Sequence, residues 1–211
     1  MHKLQRGVAP ACLARYKHGR DQWSHDVPTV GERTDIWNKL EQMQGARCAY
    51  CEADIVKGPR HIEHFRQRSG YPQGTFDWAN LFGSCNRGES CGKHKDKCGY
   101  TPADLIKPDV DEPDDYFVFV SDGTIAPRAG LSAAQLQRAT ETLRVFNLDA
   151  QNGALRHMRR SAAAGYLQTA EELRELAEHY PESDWLPLLH SELAATAHLP
   201  FVTAIHHALA G

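Results

Sequence analysis

Apolar residues recur at helical spacing over Thr34–Gln44, where Ile36, Trp37, Leu40 and Met43 share one face and Gly45 stops the run. The first thirty residues carry little periodicity and are punctuated by Pro10 and Pro28. After Gly45 the helical pattern gives way to a stretch dense in glycine, charge and cysteine. Tyr116-Phe-Val-Phe-Val and Thr124-Ile-Ala then flank Asp122-Gly123, which predicts a β-hairpin because such a turn needs positive φ. Helices follow. Ser132 with Gln135 forms a capping box, and Leu136, Ala139, Leu143 and Phe146 make an apolar stripe. A longer helix is predicted from about Ala154 to Tyr180, with Leu155, Met158, Ala162, Tyr166, Leu173 and Leu176 inward and Pro181 ending it. Two short helices separated near Pro200 complete the chain. The pattern predicts an α+β chain in three parts: an N-terminal helical arm over 1–46, a compact core over 47–107, and a β-hairpin plus helical region over 108–211 suited to docking a partner.

At 211 residues the chain has room for one sizeable domain. No run approaches the length of a membrane span, and the N-terminal stretch lacks the apolar core of a signal peptide, so a cytoplasmic location is expected. The net charge of −3 excludes binding nucleic acid by overall charge alone. The charge is uneven, however: Lys57 to Lys107 holds nine Lys/Arg against five Asp/Glu, and Pro108 to Asp122 holds six acids and no Lys or Arg. A local phosphate-facing surface fits that distribution.

Cysteine usage narrows the chemistry. Without a secretory signal, six cysteines argue against a disulfide framework. Cys48-Ala-Tyr-Cys51 and the wider Cys85/Cys91 pair supply the four soft ligands of a structural Zn²⁺ site, with Cys98 an alternative to Cys91. A redox Cys-x-x-Cys would sit in a thioredoxin-like pattern, which is absent. Cys12 reads as a small buried hydrophobe.

Between the two pairs lie Arg60-His-Ile-Glu63-His64-Phe-Arg and Phe76-Asp-Trp-Ala-Asn80-Leu, followed by Cys91-Gly-Lys-His94-Lys95. An imidazole that titrates near neutrality can take a proton from water, so His64 is the candidate general base. His61 falls on the same side of an extended strand as Glu63 and could join a metal site there. Arg66, Arg68, Arg87, Lys93 and Lys95 are candidate phosphate contacts. His190, His198, His206 and His207 lack ligand spacing and read as surface or packing residues.

The order of these boxes resembles the HNH endonuclease family. Cys-Ala-Tyr-Cys-Glu52, His-Ile-Glu-His-Phe-Arg, Phe-Asp-Trp-Ala-Asn-Leu and Pro108-Asp-x-Asp-Glu-Pro resemble in particular the HNH subunit of Septu-type anti-phage systems, which also serves some retrons. The resemblance implies a zinc-stapled ββα-metal core and a catalytic Mg²⁺ or Mn²⁺ held by Glu63 and a second ligand. It also implies an Asn80 that orients the loop carrying the histidine. Common HNH patterns place the last ligand directly after the final cysteine. Here that position is Gly92, so His94 is the expected substitute.

The function so implied is cleavage of nucleic acid, with DNA favoured, by the effector subunit of a bacterial defence complex that contains an ATPase subunit. RNA such as tRNA is the alternative target, and a non-catalytic zinc-finger binding module is the alternative role.

Overall fold

The computed structural model describes residues 1–151 and 153–210. Among these, no helix is long and apolar enough to cross a membrane.

The first helix, α1 (Val30–Gln44), starts four residues before the Thr34 expected from the apolar pattern. Thr29 accepts a hydrogen bond from the Glu32 backbone N–H, and the Glu32 carboxylate accepts one from the Thr29 N–H at 2.8 Å. This reciprocal cap satisfies donors that the first turn leaves without intrahelical partners. Gly45, at φ +66°, ends the helix as expected.

Two strands follow, β1 (Arg60–His64) and β2 (Leu81–Cys85), paired antiparallel with His64 opposite Leu81 and His61 opposite Ser84. A five-residue helix, α2 (Cys91–Lys95), packs against β2. The outer edge of β2 is closed by a side chain. The buried Gln44 amide donates to Gly83 O at 2.8 Å and accepts from Gly83 N–H at 2.9 Å, as a third strand would. Only glycine fits opposite it, because a Cβ at Gly83 would lie 2.7 Å from Gln44 Nε2 and 2.8 Å from the Trp37 ring.

An aromatic core joins these elements. Tyr50 stacks on Phe146 at 4.2 Å between ring centroids, and Phe82 and Phe65 close the group at 5.9–6.4 Å. Side chains of this size each stabilise the fold by roughly 1.5–3 kcal/mol when fully buried.

The hairpin is as expected: β3 (Phe117–Phe119) pairs with β4 (Ile125–Pro127), and Gly123 takes φ +91° in the turn. It is pinned by Arg159 and Asp149: Arg159 donates to Gly123 O at 2.8 Å, and Asp149 accepts from the Ile125 N–H at 2.9 Å. Helix α3 (Ala133–Phe146) carries the Ser132–Gln135 capping box. Leu136, at the outer end of its expected stripe, is 46% exposed.

The single long helix expected over 154–180 is instead two, α4 (Ala154–Ala164) and α5 (Leu167–His179). The Tyr166 N–H bonds to Ala163 O at 2.9 Å and closes α4 with a tight turn at Gly165, where glycine weakens a helix. The apolar stripe runs through the break, and this is why periodicity alone hides it.

The last two helices are α6 (Glu182–Thr196), with Pro187 inside it, and α7 (Val202–Ala210). Helix α7 is built into the core: Phe201, Val202, Ala204 and Ile205 are buried. Glu52, beside the first cysteine pair, accepts from the Thr203 N–H at 3.0 Å, and its carbonyl accepts from the Phe201 N–H at 3.1 Å. The part of the C-terminal region left facing outward is α5 and α6, where Leu188 is half exposed.

Candidate active site

Cys48, Cys51, Cys85 and Cys91 are all buried, and their sulfurs lie within 4.8 Å of one another. The Cys48–Cys51 turn closes through Glu52 N–H to Cys48 O at 3.0 Å, with Glu52 at φ +65°. Cys85 ends β2, and Cys91 opens α2 at φ +56°. Sulfurs held about 2.3 Å from one tetrahedral ion stand nearly 4 Å apart, and Cys51 and Cys85 are separated by 3.9 Å.

Burial opposes ionisation at Cys48, yet hydrogen bonds from Cys51, Cys85 and Cys91 hold its thiol well below the usual range. The bond to Cys48 pushes Cys51 well above it. Four thiols so placed cannot all ionise without a cation among them. The cluster is consistent with a structural Zn²⁺. Cys98 is not part of it, since its sulfur sits 3.6 Å from His94 Nδ1.

The second site lies on β1. Side chains two apart share a strand face, and His61 Nε2 is 2.9 Å from Glu63 Oε2. The other Glu63 oxygen is 2.8 Å from Lys95 Nζ, which is fully buried and also touches Asp96 at 2.9 Å and the Tyr100 hydroxyl at 3.2 Å. Burial works against the Lys95 charge, but the Glu63 carboxylate outweighs it and holds the ammonium above its ordinary range. Gly92 sits directly over this pair. A Cβ there would lie 2.3 Å from Glu63 Oε2 and 2.9 Å from His61 Nε2.

His64 occupies the opposite strand face. Its Nε2 donates to Thr75 O at 2.9 Å, which leaves Nδ1 as the unprotonated nitrogen of the neutral ring. The Trp23 ring meets it edge-on at 4.7 Å. Burial lowers the His64 pKa to about 4, despite the Thr75 hydrogen bond that favours the charged form. The loop that presents Thr75 is tied down by Asn80, whose amide donates to Arg66 O at 3.1 Å and Gly74 O at 3.0 Å. Its Oδ1 accepts from the Arg66 N–H at 2.7 Å.

His61, Glu63 and His64 open on a cleft of about 780 Å³ whose wall also includes Trp23, Arg33, Trp37, Arg60, Arg68, Lys93 and Asp96. Of the five expected phosphate contacts, Arg68 and Lys93 line this cleft. Arg66 and Arg87 line other hollows, and Lys95 is buried in its ion pair. His94, expected beside Glu63, is not brought there. Its Nδ1 is 2.9 Å from Val145 O, so the ring turns toward α3, because a step of two residues on a helix swings a side chain about 200° around the axis.

Sequence reasoning passed over Trp23, Trp37, Arg33 and Arg60. Trp37 reads as part of the apolar stripe of α1, although Arg60 stacks on its ring at 4.2 Å. The available signal was the strand period, which sets Arg60 two residues from Ile62 and four from His64 on one face.

No family model matches the chain. It is 27% identical over 153 residues to the Septu protein PtuB of Bacillus thuringiensis, an alignment covering 69% of this chain and 55% of that protein. It is 25% identical over 138 residues to a Vibrio cholerae serotype O1 biovar El Tor protein named "Retron Vc95 putative HNH endonuclease", covering 62% of this chain and 64% of the relative. In both cases the match spans less than two thirds of the relative's length. The chain is a distant homologue of the Septu protein PtuB and of this retron protein.

Proposed function

We propose that the chain is a metal-dependent HNH endonuclease with a zinc-stapled ββα-metal core, acting as the cutting subunit of an anti-phage complex that includes an ATPase. The observation that carries this reading is His64. Its ring is held by Thr75 O through one nitrogen, leaving the other free at the cleft, one residue from a buried carboxylate.

Phosphodiester hydrolysis needs a base for water, compensation of phosphate charge, and a dry, rigid wall behind the reacting groups. His64 Nδ1 takes the proton from the attacking water, and Thr75 O steadies the imidazolium that results. Asn80 keeps Thr75 in reach by clamping Arg66 and Gly74, so it positions the base and does not react. Glu63 would hold the catalytic Mg²⁺ or Mn²⁺. The fit rests on the chemistry of the donor, a hard carboxylate oxygen at the cleft, which the bare Gly92 backbone approaches closely without a side chain to cover it. When bound, that ion supplies Lewis-acid stabilisation of charge on the departing oxygen. Arg68, Lys93, Arg33 and Arg60 line the same cleft and offer charge to the phosphate backbone. The four cysteines would hold Zn²⁺ and fix the turn, the end of β2 and the start of α2 around one point.

Co-expression with a candidate ATPase, followed by incubation with plasmid DNA and total RNA in Mg²⁺ or Mn²⁺, tests the proposal. Cleavage by the native complex and its loss in His64→Ala are expected, with DNA the favoured substrate. Cleavage of RNA alone transfers the activity to that substrate. Native-like binding with no cleavage of either would reduce the chain to a binding module.

A further inference from the structure

His61 and Gly92 occupy one small volume between them. The two residues come from different elements, β1 and α2, and the Cβ that glycine lacks would lie 2.9 Å from His61 Nε2. The Gly92 backbone is held close to the strand by its N–H, which donates to Ser84 Oγ at 3.3 Å, and Ser84 is the cross-strand partner of His61. A larger residue at 92 would therefore displace the His61 ring or the Glu63 carboxylate.

Two ligand atoms at right angles on a hard divalent ion, each about 2.0–2.1 Å from it, stand about 3 Å apart. His61 Nε2 and Glu63 Oε2 stand 2.9 Å apart, on a strand face that opens on the cleft. His94, the other imidazole nearby, is engaged by Val145 O and does not line that cleft.

We infer that His61 is the nitrogen ligand of the catalytic divalent cation, supplied from β1 in place of a side chain on α2, and that Gly92 is the residue that makes room for it. The inference rests on the nuclease reading of the site but concerns where the metal's second protein ligand comes from. A strand-borne imidazole and carboxylate, two residues apart on one rigid hairpin, define a two-point cradle. The remaining coordination positions are left to water and to substrate oxygen, as a phosphate-cutting site needs.

The test is metal binding by the full chain with its zinc content verified. Mn²⁺ is titrated and the free ion followed by electron paramagnetic resonance, and the nitrogen coupling of the bound ion is read by electron spin-echo modulation. The native protein should bind one Mn²⁺ with one imidazole nitrogen coupled to it. His61→Gln should lose that coupling and weaken binding by at least about tenfold, while His94→Gln should change neither. Gly92→Ala, which keeps every ligand but fills the space, should weaken binding several-fold with zinc retained. That second variant keeps the test open if His61→Gln loses its zinc. Native-like coupling in His61→Gln, its loss in His94→Gln, unaltered affinity in folded Gly92→Ala, or no Mn²⁺ bound by the native protein would each overturn the inference. The nuclease reading fails separately. If the native complex cuts nothing yet the nitrogen coupling depends on His61, the cation site stands without the activity.

Discussion

Asn80 and Arg66 are joined twice, side chain to backbone: the amide oxygen takes the Arg66 N–H at 2.7 Å, and the amide nitrogen donates to the Arg66 carbonyl at 3.1 Å. With the third bond to Gly74 O, this one buried amide spans the loop that ends at Thr75. Asn80→Ala leaves an N–H and two carbonyls without their partner, at a cost of about 1–3 kcal/mol for each buried group left unpaired. A drop of several kcal/mol in urea denaturation is expected, together with loss of cleavage. Asn80→Asp keeps the acceptor for the Arg66 N–H but sets a buried carboxylate oxygen against both carbonyls, so it should lose at least as much stability. Equal stability of Asn80→Ala and the native protein would remove the clamp from the account.

His64 should titrate far below an ordinary imidazole. Its folded pKa, about 4, lies below the unfolded value of 6.5, so between those values the unfolded chain binds more protons and stability falls as pH falls. Above pH 6.5 the group costs nothing, and the ring is neutral and competent as a base. A nuclear magnetic resonance titration of the ring Cε1–H should show a midpoint near pH 4. A midpoint at 6 or above would mean that the ring is not enclosed as described.

Zinc content separates the cysteines. Elemental analysis should find about one Zn²⁺ per chain. Cys51→Ser should lose it and with it the folded core, since structural zinc contributes on the order of 10 kcal/mol to such folds. Cys98→Ser should retain it, because that sulfur stands outside the cluster and beside His94. Retention by Cys51→Ser would refute the assignment.

Lys95→Met removes the cation from a fully buried ion pair and strands Glu63, a loss of about 3–5 kcal/mol. The thermal midpoint should fall, and added Mn²⁺ should restore part of it by supplying the missing positive charge. A variant as stable as the native chain without Mn²⁺ would show that Lys95 does not balance Glu63.

Gly123→Ala tests the hairpin turn. Its φ of +91° disfavours any side chain, and a Cβ would fall 2.0 Å from Arg156 O. A loss of about 1–3 kcal/mol from the backbone alone, and more from the collision, should appear as a lower thermal midpoint.

Much of this site was legible in the chain because it rests on local chemistry. The Cys-x-x-Cys knuckle, the alternation that puts His61 with Glu63 and against His64, and the Asp122-Gly123 turn all follow from spacing within a few residues. What escaped was set by contacts between distant segments. His94 reads as a substitute for Gly92 until α2 turns it to Val145. Lys95 reads as a surface cation until Glu63 and Tyr100 enclose it. Trp23 reaches His64 from a segment without periodicity, so no pattern in the sequence could announce it. The fusion of α4 and α5 in the sequence reading failed for the opposite reason: the apolar stripe was too regular to betray the turn at Gly165.

The Gln44 amide on Gly83 has a consequence for fidelity. Sliding β2 by one residue along β1 would turn the side chains of β2 to the opposite face and change the cross-strand partners of His64 and Glu63. Such a slip would also bring a residue with a side chain opposite Gln44, where only a bare backbone fits. Helix α1 therefore proofreads the placement of β2: it accepts the one alignment that sets the bare backbone of Gly83 against Gln44, and rejects its neighbours by collision.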